Sequence, residues 1–370
     1  MADSSTVVTK KGYFSRIVDS IKGITFGILL IIGAFYLLFW NEGRVDIGDV
    51  AVNAIAIDQA VDGDFVYVSG AVSSEENLGD GAYLKPGDYL AVNRTVEMYS
   101  WIENSTSKSD TSVGGSETTT TTYNYVNDWT STPATSSNFN VPAGHENPAK
   151  KVADANFKVK NASVAGKSVN MDKLDLPEYK ALVLSEDFMD LKGGVLAGGY
   201  LYTRPGSDAQ PQVGDVRISY SVVHDGMDIT AFAELAGDSL VPHVDKETDT
   251  TVYRMFDGTR DEALKELHDE YATSLWLFRL LGFILMWLGF GALLAPLSVI
   301  LDVLPAAGSV SRGLVGLVTF VVSLVLSVLT IFVSVIAHNI YIMGAIAVAL
   351  LVLAVMYLKK KVVKPNVVRV

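Results

Sequence analysis

The sequence contains no cysteine, and histidine is scarce. Disulfides, thiolate nucleophiles and thiolate metal sites are therefore excluded for the whole chain of 370 residues. The histidines show neither the His-x-x-x-His nor the His-Glu-x-x-His spacing of zinc sites; they are His145, His224, His243, His268 and His338. There is also no glycine-rich phosphate loop. We predict no catalytic residues, no cofactor and no metal, and the lack of cysteine in so long a chain favours a bacterial source.

Charged residues are missing from four long apolar runs, at 23–40, 280–301, 313–337 and 340–358. At about 1.5 Å per residue, each run crosses most or all of a hydrocarbon layer about 30 Å thick. The first run is too long, and ends in side chains too bulky, for a cleavable signal peptide. An ion-coupled transporter usually needs an ionisable residue at mid-membrane depth, and these runs have none. The sequence predicts a multi-pass membrane protein with transmembrane helices at 21–40, 277–301, 313–337 and 340–358.

Charge is distributed unevenly along the chain. Residues 45–274 contain 37 acidic and 17 basic residues, a net charge of −20, whereas the rest of the chain carries +8. Because positive charge concentrates on the cytoplasmic side of membranes, we predict a cytoplasmic tail at 1–20, a cytoplasmic loop at 302–312 and a basic cytoplasmic tail at 359–370. The acidic segment 41–258 then lies outside the cytoplasm or in a lumen. Its charge disfavours nucleic acid as a partner.

Segment 41–258 has the pattern of a β-rich domain, because runs of β-branched and aromatic residues alternate with Gly-Asp turns. Residues 105–122 are rich in serine, threonine and glycine, and we predict a mobile loop there. Thr259 and Glu262 have the spacing of a capping box and begin an amphipathic helix predicted at 259–275. The fold class is therefore α+β: four transmembrane helices, one N-terminal and three C-terminal, with a large β-rich extracytoplasmic domain.

Small residues recur at helical spacing in two of the apolar runs. Gly23 and Gly27 open the first run, and the third has one small or hydroxyl-bearing face made of Gly316, Thr319, Ser323, Ser327, Thr330 and Ser334. Such faces let helices approach closely and let hydroxyl groups bond between helices. They predict either packing within one helical bundle or an oligomer interface. We expect self-association through these helices.

The sequence "GDSL" at 237–240 matches a hydrolase signature in which the serine, here Ser239, attacks an ester. No Asp-x-x-His follows it, and the motif lies between two predicted strands. A turn between strands is the preferred interpretation.

The first apolar run ends in "LLFWNEGR", which places two aromatic residues at the depth of the interfacial belt and polar residues at the headgroups. This stretch resembles the first span of the transmembrane protein 43 (LUMA) family. The resemblance continues at "VEMYSWIE" (96–103), "GHENP" (144–148) and "PQVGDVRISYS" (211–221), and in the last three apolar runs. The candidate interface and motif residues are Phe39, Trp40, Asn41, Glu42, Gly43, Arg44, Tyr99, Trp101, Glu103, His145, Asn147 and Pro148.

The resemblance implies a membrane-organising protein that self-associates and binds other membrane proteins. It implies no catalytic residues, so we expect a non-enzymatic scaffold in contact with the lipid bilayer. The alternatives are an accessory subunit of a transporter or channel, or a membrane-anchored hydrolase. The expected location is the bacterial cytoplasmic membrane, or the endoplasmic reticulum and inner nuclear membrane if the source is eukaryotic.

Overall fold

The computed structural model describes residues 3–303 and 305–362, which form two compact units. The β-rich unit comprises residues 3–9, 45–109 and 119–270. The helical unit comprises residues 10–44, 110–118 and 271–362.

The β-rich unit contains most of the strands and one short helix, α2 (Ile47–Ala51). The strands, in chain order, are β1 (Asp3–Lys11), β2 (Ile55–Ala56), β3 (Phe65–Ser73), β4 (Tyr89–Thr111), β5 (Glu117–Thr130), β6 (Ala155–Lys158), β7 (Asn161–Val164), β8 (Lys167–Asn170), β9 (Lys180–Ala181), β10 (Val195–Ala197), β11 (Tyr200–Tyr202), β12 (Val216–His224), β13 (Asp228–Ala236), β14 (Ser239–Val241), β15 (His243–Val244), β16 (Thr251–Val252) and β17 (Arg254–Asp257). Single 3₁₀ turns lie at Ile57–Gln59 and Ser136–Asn138.

Two large sheets organise these strands. One has the order β1-β5-β4-β12-β11-β10, with β6 beside β4 and β9 beside β12, and the other has the order β17-β13-β14-β8-β7-β3-β2. The largest buried cluster takes side chains from both sheets, including Val68 on β3, Leu90 on β4 and Ala231 on β13. A second cluster covers β4, β11 and β12 with Met98, Leu201 and similar residues. The predicted β-rich domain is confirmed.

The helices are α1 (Tyr13–Glu42), α3 (Arg260–Leu301), α4 (Pro305–His338) and α5 (Ile340–Val362). Among the described residues, three helical stretches are long and apolar enough to cross a membrane: Tyr13–Ala51, Arg260–Leu301 and Val310–His338. The apolar part of α5 is shorter, at Ile342–Tyr357. Three spans are therefore supported by length and composition, while the fourth stays a prediction. The tail predicted at 359–370 lies outside the described residues from 363 onwards.

The capping box at the start of α3 is confirmed: the N–H of Thr259 donates to Glu262 Oε2 at 2.8 Å. The first turns of α3, up to residue 270, belong to the β-rich unit, where Leu264 and Leu267 lie in a buried cluster with Phe232. No break separates the predicted segments 259–275 and 277–301, which form one helix. α1 likewise begins eight residues before the predicted span, because charged residues near a helix end do not stop it.

The loop predicted at 302–312 is wrong for most of its length, since α4 already begins at Pro305. Proline suits the first position of a helix because its missing N–H would have no intrahelical partner there.

The loop predicted at 105–122 is also wrong. This segment is the distal part of the β4–β5 hairpin, and its turn is closed by a bond from the N–H of Ser112 to the C=O of Ser116 at 2.8 Å. The hydroxyl groups of Ser107 and Thr121 lie 2.8 Å apart, and those of Ser109 and Thr119 2.7 Å apart. Threonine is β-branched and fits a strand well, so a run that looks like low-complexity sequence forms a ladder.

Two predicted placements conflict with the structure. The N–H of Gly114 at the hairpin tip donates to the C=O of Val303 at 3.0 Å, although 105–122 and 302–312 were predicted on opposite sides of a membrane. Groups joined by a hydrogen bond cannot be separated by about 30 Å of hydrocarbon. In the same way, residues 3–11, predicted as a tail, form the edge strand β1 of the larger sheet.

Candidate functional site

The "FWNEGR" stretch lies at the end of α1 and ties three helices of the helical unit together. Asn41 is fully buried, and its Nδ2 donates to the C=O of Leu275 on α3 at 3.0 Å. Glu42 accepts two bonds from Arg279, at 2.8 and 2.7 Å, and its side chain is 3% exposed. A parallel two-bond arrangement of this kind fixes orientation as well as distance.

Arg44 completes this cluster through aromatic contacts. Its guanidinium lies over the rings of Trp40, Tyr271 and Phe278 at 5.6, 5.8 and 5.2 Å. Nη2 also donates to Ser274 Oγ at 2.9 Å. Arginine can stack on aromatic faces while donating from its edge, so it can hold a partly buried position at the helix end.

α4 joins the same cluster from the other side. The hydroxyl of Ser334 donates to the C=O of Phe39 at 2.7 Å, and the rings of Phe39 and His338 have centroids 4.7 Å apart. A Cβ at Gly43 would collide with the His338 ring. Each residue from Phe39 to Arg44 therefore has a packing or bonding partner, which explains the motif as a junction of α1, α3 and α4.

The other motifs meet in the β-rich unit. The side chain of Asn147 pairs with the backbone of Trp101, accepting from its N–H at 2.7 Å and donating to its C=O at 3.0 Å. The amide thus imitates a neighbouring strand beside β4. Glu103, two residues further on, accepts from the hydroxyl of Tyr125 at 2.7 Å and from the N–H of Asn140 at 2.6 Å.

His145 is 3% exposed and lies in the same cluster. Its ring stacks on Tyr125 at 3.8 Å and meets Trp101 edge-on at 4.7 Å. Nδ1 lies 2.9 Å from the C=O of Val141, and Nε2 lies 2.9 Å from Oδ2 of Asp3 on β1. Both ring nitrogens are occupied by partners within the fold, so His145 has a structural role here.

The motif at 211–221 reaches this cluster through Gly214, whose φ is +94°. A Cβ at Gly214 would come within 2.8 Å of Pro148. The N–H of Gly214 donates to the C=O of Tyr99 at 2.9 Å, and β12 then pairs with β4. Three motifs that are far apart in the sequence thus form one structural element.

The small-residue faces of the helical unit are occupied within the chain. Gly27 on α1 lies against Gly289 on α3, where a Cβ at either position would come within 2.7 to 2.9 Å of the other's backbone oxygen, whereas a Cβ at Gly23 would be 4.0 Å from its nearest atom. On α4, Thr319, Ser323, Ser327 and Ser334 are buried, while Gly316 and Thr330 are half-buried. This face is a seam within one chain.

The β-rich unit contains a buried ion pair, between Arg94 and Asp80, that the sequence did not predict. Arg94 interrupts an otherwise apolar face of β4 and donates to Asp80 Oδ2 at 2.7 Å, and Tyr220 donates to the same oxygen at 2.6 Å. The other oxygen accepts three backbone N–H groups, from residues 82 to 84. Burial alone would raise the pKa of Asp80, but these hydrogen bonds outweigh it and lower the pKa below its ordinary value.

The ligand atoms of Asp46, Asp49 and His268 lie within 4.8 Å of one another in the described part of the chain. Asp46 caps α2 through the N–H of Gly48 at 2.8 Å and holds His268 Nδ1 at 2.8 Å. Capping and ion pairing explain this cluster without an ion. More than 200 residues separate His268 from the two aspartates, so no motif spacing could reveal it.

The "GDSL" stretch forms the turn between β13 and β14. Gly237 has φ +61°, and the hydroxyl of Ser239 lies 2.7 Å from that of Ser168. This geometry agrees with the interpretation of a turn between strands.

Comparison with known proteins identifies the group to which these motifs belong. The family model described as Transmembrane protein 43 matches residues 98–340. This chain belongs to that family. Transmembrane protein 43 of Mus musculus is 25% identical over 321 residues, covering 80% of this chain and 79% of the relative. The Homo sapiens protein is 25% identical over 324 residues, covering 80% of each chain.

The Drosophila melanogaster homolog is 24% identical over 287 residues, covering 71% of this chain and 74% of the relative. No solved structure matches the chain. The family resemblance inferred from the motifs is therefore confirmed, and so is the prediction that this chain is an integral membrane protein. These animal relatives do not support a bacterial source.

Proposed function

We propose that the protein is a non-enzymatic membrane scaffold whose β-rich unit binds other membrane proteins. The observation that supports this most is charge. Most of the net charge of −20 over residues 45–274 falls on the β-rich unit, which has its own buried core, so most of that charge lies at the surface. Complementary charge steers association and selects partners that carry a basic surface.

The membrane arrangement is part of the proposal. α5 is 23 residues long, about 34 Å, and we propose it as the fourth span. Self-association through the helices is also part of the proposal, although the serine and threonine side chains on the face of α4 are buried or half-buried within one chain. We propose that the protein lies in the endoplasmic reticulum and inner nuclear membrane if its source is eukaryotic, as the animal relatives suggest, and in the cytoplasmic membrane if its source is a bacterium.

Affinity purification of the full-length protein from native membranes tests this function. Proteins that co-purify should fall away as salt rises from about 50 to 300 mM, because salt screens exposed charges. Replacing Glu186, Asp208 and Glu247, which are exposed, by their amides should reduce the same set of proteins.

A matched variant provides the control. Replacing the exposed Lys151, Lys173 and Lys246 by glutamine changes as many charges with the opposite sign, and it should retain or strengthen binding. Identical partner sets for both variants and the wild type would refute the acidic surface as the binding element. Hydrolysis of esters by the purified protein, lost on Ser239→Ala, would refute the non-enzymatic assignment.

A further inference from the structure

A cavity of about 460 Å³ lies within the helical unit, between α3 and α4 and beside the start of α1. Its walls are mainly apolar and include Leu288, Ala292 and Val315. Gly291 and Gly316 also line it, and a Cβ at either glycine would meet no atom within 4 Å. The packing of α3 on α4 therefore leaves open space at these two positions.

One end of the cavity is charged. Asp302 is fully buried and accepts from Arg16 Nη2 at 2.5 Å and from Arg312 Nη1 at 2.7 Å. Arg16 also donates to the C=O of Gly115 at 2.6 Å and forms an ion pair with Glu117 at 3.0 Å. Its guanidinium is therefore bound to the hairpin tip as well as to Asp302. The side chain of Arg312 is 46% exposed, and it is the guanidinium of this cluster that a ligand can reach.

The lining is polar at one end and apolar along its length. The lining on α3 begins at Trp287, and Asp302 directly follows the end of the helix at Leu301, so this wall of the cavity is about 22 Å long. Leu288 lines the cavity and Leu317 lies next to lining residue Gly316 on α4; both side chains are more than half exposed on helices long enough to span a membrane. The open side of the cavity therefore faces hydrocarbon, and its charged end lies where α3 ends.

We propose that this cavity binds one anionic phospholipid, with an acyl chain between α3 and α4 and the phosphate on Arg312. The volume falls within the range of about 300 to 1,000 Å³ that is usual for ligand sites. The acidic members of the cluster, Asp302 and Glu117, are less exposed than Arg312, so its guanidinium is the charge that a headgroup meets first, and guanidinium matches phosphate geometry. The acyl chain of a zwitterionic lipid would fill the apolar part equally well, but its headgroup would be attracted less strongly to the guanidinium of Arg312.

The test uses full-length protein in nanodiscs of phosphatidylcholine. A trace of phosphatidylglycerol or phosphatidylcholine, each with the same photoreactive acyl chain, is crosslinked and mapped by mass spectrometry. We expect the yield on peptides of α3 and α4 that line the cavity to be about fivefold higher for phosphatidylglycerol, as one basic group near an anionic headgroup should give. Arg312→Gln should bring the two yields together, whereas Lys22→Gln, which removes an exposed charge on α1, should not.

Filling the cavity gives a second, independent measurement that leaves the Asp302 cluster intact. Gly316→Leu should reduce labelling by both lipids, and Gly313→Leu, one turn away on α4 and also in open space, should not. Equal yields for the two lipids with wild-type protein would overturn the proposal. So would unchanged labelling of a Gly316→Leu protein that elutes as a single folded species, or displacement of the lipid by soluble glycerol phosphate.

Discussion

Large apolar side chains face inward in the β-rich unit and mostly outward in the helical unit. Phe232, Leu90 and Met98 are completely buried in the former. In the described part of the latter, the buried apolar cluster consists of Ala34, Leu38 and Met286, while large residues along α1 and α4 are exposed. Removal of apolar surface from water can therefore fold the first unit but contributes little between the helices of the second.

The helical unit relies instead on close approach and polar bonds. Gly27 and Gly289 bring α1 and α3 into backbone contact, the pair Glu42–Arg279 links the end of α1 to α3, and the pair Asp302–Arg312 links the end of α3 to α4. Interhelical polar contacts in membranes typically contribute about 0.6 kcal/mol each. Equivalent substitutions should therefore have unequal effects in the two units.

The largest expected effect concerns where the hairpin tip lies. The chain has no cysteine, so an introduced pair gives crosslinks without background. Val113 precedes Gly114, whose N–H donates to the C=O of Val303, so a short bifunctional maleimide should join Val113→Cys to Val303→Cys almost completely. Electrophoresis after a protease cut between the two sites provides the readout.

Val113→Cys paired with Leu329→Cys should not crosslink, because residue 329 lies about 25 Å along α4 from Arg312. Absence of the first crosslink, with the two sites labelled from opposite sides of sealed vesicles, would support the placement predicted from charge and contradict the hairpin contact.

The next prediction compares the loss of stability when a large apolar side chain is truncated in each of the two units. Phe232→Ala should lower the free energy of unfolding by about 3–5 kcal/mol, because it leaves a cavity beside Phe256, whose ring is 6.0 Å away. Leu324→Ala, at an exposed position on α4, should change it by less than about 0.5 kcal/mol. Denaturant unfolding of full-length protein in detergent measures both, and equal losses would remove the contrast between the units.

Local features could be predicted from the sequence because their partners are close along the chain. The capping box of α3 and the end of the first span at Phe39–Arg44 are of this kind. The small-residue face of α4 was also visible in its spacing. The helices that pack against this face could not be predicted, because helical periodicity shows which face of a helix packs but not which element it packs against.

Features that depend on distant partners could not be predicted. Asp302 forms its ion pair with Arg16, which lies 286 residues earlier in the chain. The hydrogen bonds between Asn147 and the backbone of Trp101 form only once β4 is in place. The hairpin at 105–122 was missed for another reason. Its serine and threonine residues have little apolar surface, so composition indicated a loop although threonine favours strands.

Asp80 should make the stability of the β-rich unit sensitive to acid. Asp80→Asn removes one member of a buried ion pair and should cost about 3 kcal/mol at pH 7. Because the folded state lowers the pKa of Asp80, its stabilisation is complete above the ordinary pKa of about 3.9 and is lost as pH falls through the lower folded value. The difference between wild type and variant should therefore be constant above about pH 5 and shrink below about pH 4.

Unfolding curves at several pH values test this, with the exposed Asp208→Asn as the control that changes little. A difference that grows as the pH falls would have the wrong sign for this assignment.

A smaller effect is expected at the seam between α1 and α3. Gly27→Ala places a Cβ 2.7 Å from the backbone oxygen of Gly289, and the helices must separate, at about 1–3 kcal/mol. Gly33→Ala on the same helix meets no atom within 4 Å and should be neutral or slightly stabilising. Thermal unfolding in detergent should rank the two variants in this order, and equal behaviour would mean that α1 and α3 do not touch at Gly27.

The smallest effect concerns the distal hairpin, where neither apolar burial nor ion pairing dominates. The hydroxyl groups of Ser107 and Thr121 lie 2.8 Å apart across β4 and β5. Such cross-strand pairs contribute about 0.2–1 kcal/mol, so single substitutions by alanine cannot separate this bond from the strand propensity of threonine. A double-mutant cycle of Ser107→Ala and Thr121→Ala isolates it, and the coupling should be about 0.5 kcal/mol. Ser107→Ala combined with Thr119→Ala, whose hydroxyl pairs with Ser109 instead, should couple less. Zero coupling in the first cycle, with backbone amides of 105–111 exchanging as fast as in an unfolded peptide, would restore the mobile loop that composition alone predicts.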